Sequence, residues 1–399
     1  MKKKSGICLL MVSVFLLLTG CQTQPQYSSE NAYVAGQDFQ YQFYKAAGIN
    51  LTPLSIAETE EGYYFLTQES FLYYADKESM EAVLLCSRPD CLHDQEPKEM
   101  KRRECNAYFP DSGTLFFSDG SLYIPCEKAT DNISDPTRPR GQVYKISADG
   151  TTRESLFDLY SETCFRFHRG MLYYLDSPPR DAEGTGNKAL YRRALTKDSE
   201  PEMLTRFQVT QVPEITLYGD NVYVSLDNSF LQMNLTTKKE TIIGKPSSDG
   251  YSALIGFRQN KLVYKVLDND KIQYYLSELD GSNPKVLPAL EDRGFVQVDD
   301  QYFYDVDVDF WSEDAKPAEK RSVRVLQEDG TLVSEFPIGE DGLLLAMAAD
   351  PYIFTAKTNE DDNWQVSYAK KSDVETGQVQ WKTVILEEAV ESDGVMYTG

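Results

Sequence analysis

The stretch that decides the fold reads Ala253-Leu-Ile-Gly-Phe257, Gln259-Asn260, Leu262-Val-Tyr-Lys-Val-Leu267, Asp268-Asn269-Asp270, Ile272-Gln-Tyr-Tyr-Leu-Ser-Glu-Leu279, Asp280-Gly281 and Lys285-Val-Leu-Pro288. Each long run is β-branched or aromatic, which suits a pleated and half-buried surface. Each break is Asn, Asp, Gln or Gly, the chemistry of tight turns. Four strands therefore follow one another with no room for a helix between them. The unit recurs. Gly62-Tyr-Tyr-Phe-Leu66, Ser121-Leu-Tyr-Ile124, Met171-Leu-Tyr-Tyr-Leu175, Asn221-Val-Tyr-Val224, Lys261-Leu-Val-Tyr264, Gln301-Tyr-Phe-Tyr304 and Pro351-Tyr-Ile-Phe354 begin 40 to 59 positions apart. That is near the period of four-stranded propeller blades, about 40 to 50 residues. The expectation is an all-β chain, a β-propeller of seven blades with four antiparallel strands each, six or eight being the neighbouring ring sizes. A pair of β-sandwiches competes. It is disfavoured because seven similar units without a linker suit a closed ring, which also removes exposed strand edges. No stretch holds a period near 3.6 with caps, so helix is expected to be scarce.

Ahead of the repeats stand Lys2, Lys3 and Lys4, an apolar run from Ile7 to Leu18, and Leu18-Thr19-Gly20-Cys21. This is the layout of an export signal, too short to cross a bilayer, which takes roughly 20 apolar residues. Residues 1–20 are therefore expected to be removed and Cys21 to carry lipid that anchors the protein to the extracytoplasmic face of the cell membrane. One acyl chain binds only marginally, so two or more are expected. Residues 21–50 read as tether, polar from Gln22 to about Asp38, with Phe39-Gln-Tyr-Gln-Phe43 able to close the ring as an extra strand. The end of the chain, 393–399, is equally eligible. The propeller is expected over 51–399.

The chain has 40 Lys and Arg against 63 Asp and Glu, and the signal takes three lysines with it, leaving a formal charge of −26. Nucleic acids and anionic head groups are excluded as partners, because binding them rests on neutralising phosphates with basic side chains. Loss of Cys8 and lipidation of Cys21 leave Cys86, Cys91, Cys105, Cys126 and Cys164, an odd number in a compartment that permits disulfides.

Antiparallel neighbours send the first and third turns of each blade to one side of the ring. Those turns are tight, as at Asp119-Gly120, Arg169-Gly170, Gly219-Asp220 and Asp149-Gly150. Second turns and blade crossings emerge opposite and are long at 87–112, 128–140, 177–188, 310–320 and 358–363. Long loops on a rigid scaffold are where binding resides. Asp309, Trp311, Asp361 and Trp364 are accordingly the ligand-binding candidates, for a protein or carbohydrate partner.

The segment with most chemical content is Leu85-Cys86-Ser-Arg-Pro-Asp-Cys91-Leu-His93-Asp94, followed by Cys105-Asn-Ala-Tyr108. Thiolate and neutral imidazole are ligands that zinc prefers, and three thiols with one imidazole complete a tetrahedral set. The spacing is not that of the common zinc fingers. In a compartment that permits disulfides the simpler account, preferred over the metal, is one disulfide of Cys86 or Cys91 with Cys105, which would staple the loop and stabilise by roughly 3 kcal/mol; the metal is the second reading and a reactive thiol the third. The run Cys86…Pro89-Asp90-Cys91-Leu92-His93, with Cys105-Asn106-Ala107 after it, resembles a segment of lipid-anchored β-propeller proteins of anaerobic Gram-positive bacteria, related in fold to YWTD-type and TolB-like propellers. The resemblance implies the fold and the location, and no activity. It departs at 95–104, which is longer and more basic, with Lys98, Lys101, Arg102 and Arg103.

Cys164, Arg166 and His168 share one face of a strand and read as satisfied core or rim positions. Asp305, Asp307 and Asp309 alternate along a strand and read as a solvated face, since Phe310 and Lys316 stand where a calcium loop needs Gly and Glu. No GxSxG, HExxH, phosphate loop or strand-following GxGxxG is present. Three functions follow in order: a noncatalytic surface module with a ligand or protein on its long-loop face; an enzyme using a carboxylate pair on glycan or cell-wall fragments; and a metal or redox protein centred on Cys86, Cys91, His93 and Cys105.

Overall fold

The computed structural model describes residues 27–41, 55–67, 69–93, 102–110, 112, 114–128, 138–160, 163–176, 187–210, 213–244, 250–306, 322–338, 344–347, 351–358 and 363–387. They form seven four-stranded antiparallel sheets, each made of four consecutive strands. The blades span 55–84, 116–159, 163–208, 215–243, 251–286, 296–337 and 344–387. The recurring aromatic runs are the second strands. In blade 5 the strands are Tyr251–Arg258, Lys261–Asp268, Lys271–Ser277 and Lys285–Val286, joined by the three turns anticipated from Asn, Asp and Gly. Gln259, Asn260, Asn269 and Asp270 all take positive φ there, a conformation that Asn and Asp tolerate better than most residues.

The core is a ring of layers between blades rather than one central mass. Tyr173, Leu175 and Leu190 of blade 3 pack on Ile215, Leu217 and Val224 of blade 4, and Phe257 and Leu262 of blade 5 pack on Tyr218, Tyr223 and Phe230 of blade 4. Truncating a buried ring such as Phe257 is expected to cost roughly 3–5 kcal/mol. A second seam contact repeats. The third turn of one blade meets the fourth strand of the blade before it, so that a Cβ on Gly150 or Gly281 would fall 2.7 Å from Leu85 or Ile243.

Among the described residues no strand is shared between the ends of the chain. The expected closing strand is not formed over its described part, since residues 39–41 join no sheet, and 393–399 lies outside the described residues. Blade 7 closes on blade 1 by side chains instead. Phe354 packs edge-on against Tyr63 and Phe65 at ring separations of 5.0 and 5.4 Å, Tyr352 Oη donates to Lys77 O at 3.2 Å, and Thr67 Oγ1 donates to Glu387 Oε1 at 2.8 Å.

The reading of 21–50 as tether meets a different picture over 27–41, where Asp38 and Phe39 are buried. The export signal and Cys21 lie outside the described residues.

Candidate metal centre

The segment after blade 1 is fastened to both of its neighbours. Leu72 N–H donates to Ala107 O and Phe109 N–H to Ser70 O, each at 2.8 Å, and Phe71 and Tyr108 form an antiparallel bridge. These contacts tie residues 107–109 to the second turn of blade 1, the side on which the crossing is expected. From blade 2, the Arg153 guanidinium lies over the rings of Phe109 and Tyr144 at 4.3 and 3.9 Å and donates to Cys105 O and Tyr108 O at 3.4 and 3.3 Å. Leu85, just before Cys86, abuts the third turn of blade 2 at Gly150. The described parts of the crossing, 85–93 and 102–110, therefore pack in the seam between blades 1 and 2.

Within that seam Cys86, Cys91, His93 and Cys105 converge. Three Sγ atoms and one imidazole nitrogen all lie within 4.8 Å of one another, with Cys105 Sγ 3.7 Å from His93 Nδ1. Cys105 is buried and the other three are partly buried. The turn that brings Cys91 toward Cys86 is closed by Cys91 N–H to Arg88 O, and Arg88 Nη1 reaches Glu104 O at 2.6 Å, drawing the approach to Cys105 onto the same knot. His93 holds φ at 56°, a sparsely populated region for a residue with a side chain. Strain of this kind persists where the surroundings over-determine it.

The electrostatics favour a cation. Burial alone would raise the Cys86 thiol, but the backbone N–H groups of Arg88 and Asn106 and the thiols of Cys105 and Cys91 outweigh it, and Cys86 is held below the ordinary thiol range. Burial, reinforced by the closeness of Cys91 and of charge on Cys86, pushes Cys105 well above that range despite a hydrogen bond from Ala107 N–H. One thiolate is thus stabilised and a second opposed by like charge, a conflict that a bound divalent ion removes. Three thiols and an imidazole supply four donors, the number a structural zinc site uses, whereas a catalytic site keeps one position for water.

The five described cysteines, of seven in the sequence, form no disulfide with one another. The odd count is accounted for by place: three meet in the cluster, while Cys126 and Cys164 are isolated and donate to Glu127 O and Pro213 O at 3.2 and 3.0 Å. Burial raises both of these thiols, Cys126 to about 11.

Other sequence candidates fall elsewhere. Trp364 is a core residue at 3 % exposure, packed with Phe354 and Ile385, and not a face residue; it starts a strand whose inward side faces blade 1. Asp309, Trp311 and Asp361 lie outside the described residues. Asp305 is not solvated as expected. It is buried and clamped by Arg293 and Arg324, which approach from outside its own strand and so leave no periodic trace. Arg166 and His168 are satisfied core groups, as read: Arg166 Nε donates to Ile215 O at 2.9 Å, and His168 Nε2 lies 2.8 Å from Gly219 O.

No family model matches the sequence, and no curated protein is significantly similar to it. Among solved structures, a prolyl endopeptidase is similar over 83 % of this chain with a TM-score of 0.54 and 11 % identity. The chain spans about half of that protein, 50 % of its length. The β-propeller domain of the trilobed protease from Pyrococcus furiosus, described as having an open velcro topology, is similar over 87 % of this chain and 98 % of its own, with a TM-score of 0.50 and 8 % identity. An oligogalacturonate lyase in complex with manganese aligns over 82 % of this chain and 86 % of its own, with a TM-score of 0.45 and 13 % identity. At such identities the likeness concerns the fold alone, and the fold of this chain is a seven-bladed β-propeller.

Proposed function

We propose that this chain is a lipid-anchored extracytoplasmic propeller that binds a protein or carbohydrate partner without transforming it, and that Cys86, Cys91, His93 and Cys105 hold a structural zinc ion that locks blade 1 to blade 2. The convergence of four donors within 4.8 Å carries the metal reading. A disulfide needs two thiols and leaves unexplained the third, and the imidazole that His93 holds beside it from a positive-φ backbone. Support for the anchor is the Lys-rich start, the short apolar run and the small residues before Cys21. Support for binding is the length of the second turns and crossings compared with the tight turns opposite.

The test of the centre is metal content. Purified mature protein is expected to carry one zinc per chain, and Cys91→Ser or His93→Ala to carry less than a tenth of that. Equal zinc in the variants, or none in the parent, would overturn the reading. The anchor is tested by Cys21→Ala, which is expected to leave membranes; a variant that still fractionates with them, with the same mature N-terminus, contradicts it. Turnover of glycan or cell-wall fragments that one Asp or Glu substitution abolishes would replace the noncatalytic reading with the carboxylate enzyme.

A further inference from the structure

Residues 27–41 do not trail from the ring. They cross its tight-turn face as a strap. Arg169, in the first turn of blade 3, is the fastening: Nε donates to Asp38 Oδ1 at 2.5 Å and Nη2 to Oδ2 at 3.0 Å, Nη1 to Ser28 O at 2.7 Å, Nη2 to Ala32 O at 3.1 Å, and its backbone N–H to Gln37 O at 2.8 Å. The Asp38 and Arg169 side chains are 0 % and 6 % exposed. Next to it, Phe39 N–H donates to His168 Nδ1 at 2.9 Å, which leaves the ring proton on Nε2 for Gly219 O.

The strap touches five blades. Tyr27 Oη donates to Asp119 in the first turn of blade 2, and its ring lies where a Cβ on Gly170 would fall. Asn31 O sits 1.8 Å from the Cβ position of Gly219 in the first turn of blade 4, so any side chain there would lift the strap. Tyr33 and Tyr41 pack on Tyr218 at 5.9 and 5.4 Å, and Tyr41 packs on Phe257 of blade 5 at 5.1 Å. Gln40 and Glu58 of blade 1 exchange hydrogen bonds of 2.9 and 3.0 Å. Most of these contacts are with first turns and the ends of first strands, and Asn31 Oδ1 also accepts from Asn221, at the start of the second strand of blade 4, and from Asn234, at the end of its third. First strands are the innermost of a blade, so the strap lies toward the ring axis.

We infer that the strap turns the tight-turn face toward the membrane and the second-turn face outward, as the surface offered to a partner. The inference rests on lipidation of Cys21. Tyr27 follows Cys21 by six residues, and six residues span at most about 20–22 Å whatever their conformation. A folded chain of 399 residues has a radius of gyration of about 21 Å, and thus a ring far wider than the leash is long. A leash fixed near the axis of one face cannot reach around the rim. The bilayer surface is the occupant of the tight-turn side, held close by covalent reach and not by charge, since the acidic chain attracts no anionic head groups.

The test places a fluorescent amino acid at Glu60, in the first turn of blade 1, or at Asn228, in the second turn of blade 4, both exposed. Lipidated full-length protein is bound to phosphatidylcholine vesicles bearing a head-group quencher. The Glu60 label is expected to quench at least threefold more than the Asn228 label, and Arg169→Ala, which frees the strap and lengthens the leash, is expected to shrink that ratio toward one. Equal or reversed quenching in protein that floats with the vesicles overturns the inference. Protein that does not float and shows no lipid on Cys21 by mass spectrometry overturns the anchor reading instead.

Discussion

Two segments lie outside the repeat, and both tie blades together by opposite chemistry. The crossing 86–110 joins blades 1 and 2 through soft side-chain donors gathered at one point, three thiols and an imidazole. The strap 27–41 joins blades 1 to 5 through many dispersed bonds, some to its own backbone, at Ser28 O, Ala32 O, Gln37 O and the Phe39 amide, and others to its side chains, at Tyr27, Asn31, Asp38, Gln40 and Tyr41. With the proposed zinc bound, the first would depend on that ion and fail as a unit when the ion leaves. The second depends on one buried ion pair and one neutral histidine, and it loosens with pH. Among the described residues neither end lends a strand to the other blade, and the seam of blades 7 and 1 is held by ring packing and by the Tyr352–Lys77 and Thr67–Glu387 hydrogen bonds, so further fasteners elsewhere in the ring add to what resists its opening.

The contrast is tested first by chelation. Removing zinc from protein held at about a thousand times the dissociation constant is expected to lower unfolding stability by about 4 kcal/mol, by mass action alone. Denaturant unfolding with and without chelator measures it, and an unchanged midpoint breaks the assignment of the crossing. Next is Arg169→Ala, which leaves the Asp38 carboxylate buried without its partner. Such truncations cost roughly 3–5 kcal/mol, and undocking of the strap holds the loss near the lower end. Zinc content should stay at one per chain, and protease should now cut between Tyr27 and Tyr41. If zinc falls along with stability, the two fasteners are not separate.

The third test is pH. Burial holds His168 at about 3, well below the ordinary imidazole value, while the nearby Arg169 lowers it further and Asp220 and the hydrogen bond with Gly219 oppose; Asp38 stands against Arg169 on the strap side. The folded state thus binds this proton less readily than the unfolded state, whose imidazole titrates near 6.5. Its contribution is complete above that value and is lost as pH falls toward about 3, by up to about 1.4 kcal/mol per pH unit. Unfolding of chelated protein, which removes the pH dependence of metal binding, is expected to show this slope, and His168→Gln to flatten it. A parent as flat as the variant would place no titrating histidine under the strap. Smallest is Lys285→Ala. Its pair with Glu328 is exposed and belongs to neither fastener, so stability should move by less than about 0.5 kcal/mol.

The sequence displays the two fasteners unequally, and the reason is physical. Cysteine is scarce and chemically specific, so Cys86, Cys91, His93 and Cys105 stand out before any fold is known, although the seam they fill does not. The strap spaces Tyr27, Tyr33, Phe39 and Tyr41 among Ser, Asn, Ala, Gly and Gln, too sparsely for a strand or helix pattern, so it reads as solvated linker, and it docks partly through carbonyls that no side-chain pattern announces. The usable signals were on the receiving side: Arg169 and His168 flank a tight hairpin where no catalytic or metal role explains them. The blades were legible because alternating aromatic strands and Asn-Gly-Asp turns agree at each unit. Asp305 and Trp364 were misread for one shared reason. Strand periodicity gives the side of a sheet, and burial depends on what the adjoining blade or loop lays against that side.

The most direct measurement is X-ray absorption at the zinc edge of the purified protein. The account predicts three sulfur neighbours at about 2.3 Å and one nitrogen at about 2.0 Å, with the nitrogen shell lost in His93→Ala. Two or fewer sulfur neighbours, or a zinc-free protein in which Cys105 is disulfide-bonded to Cys86 or Cys91, would contradict it.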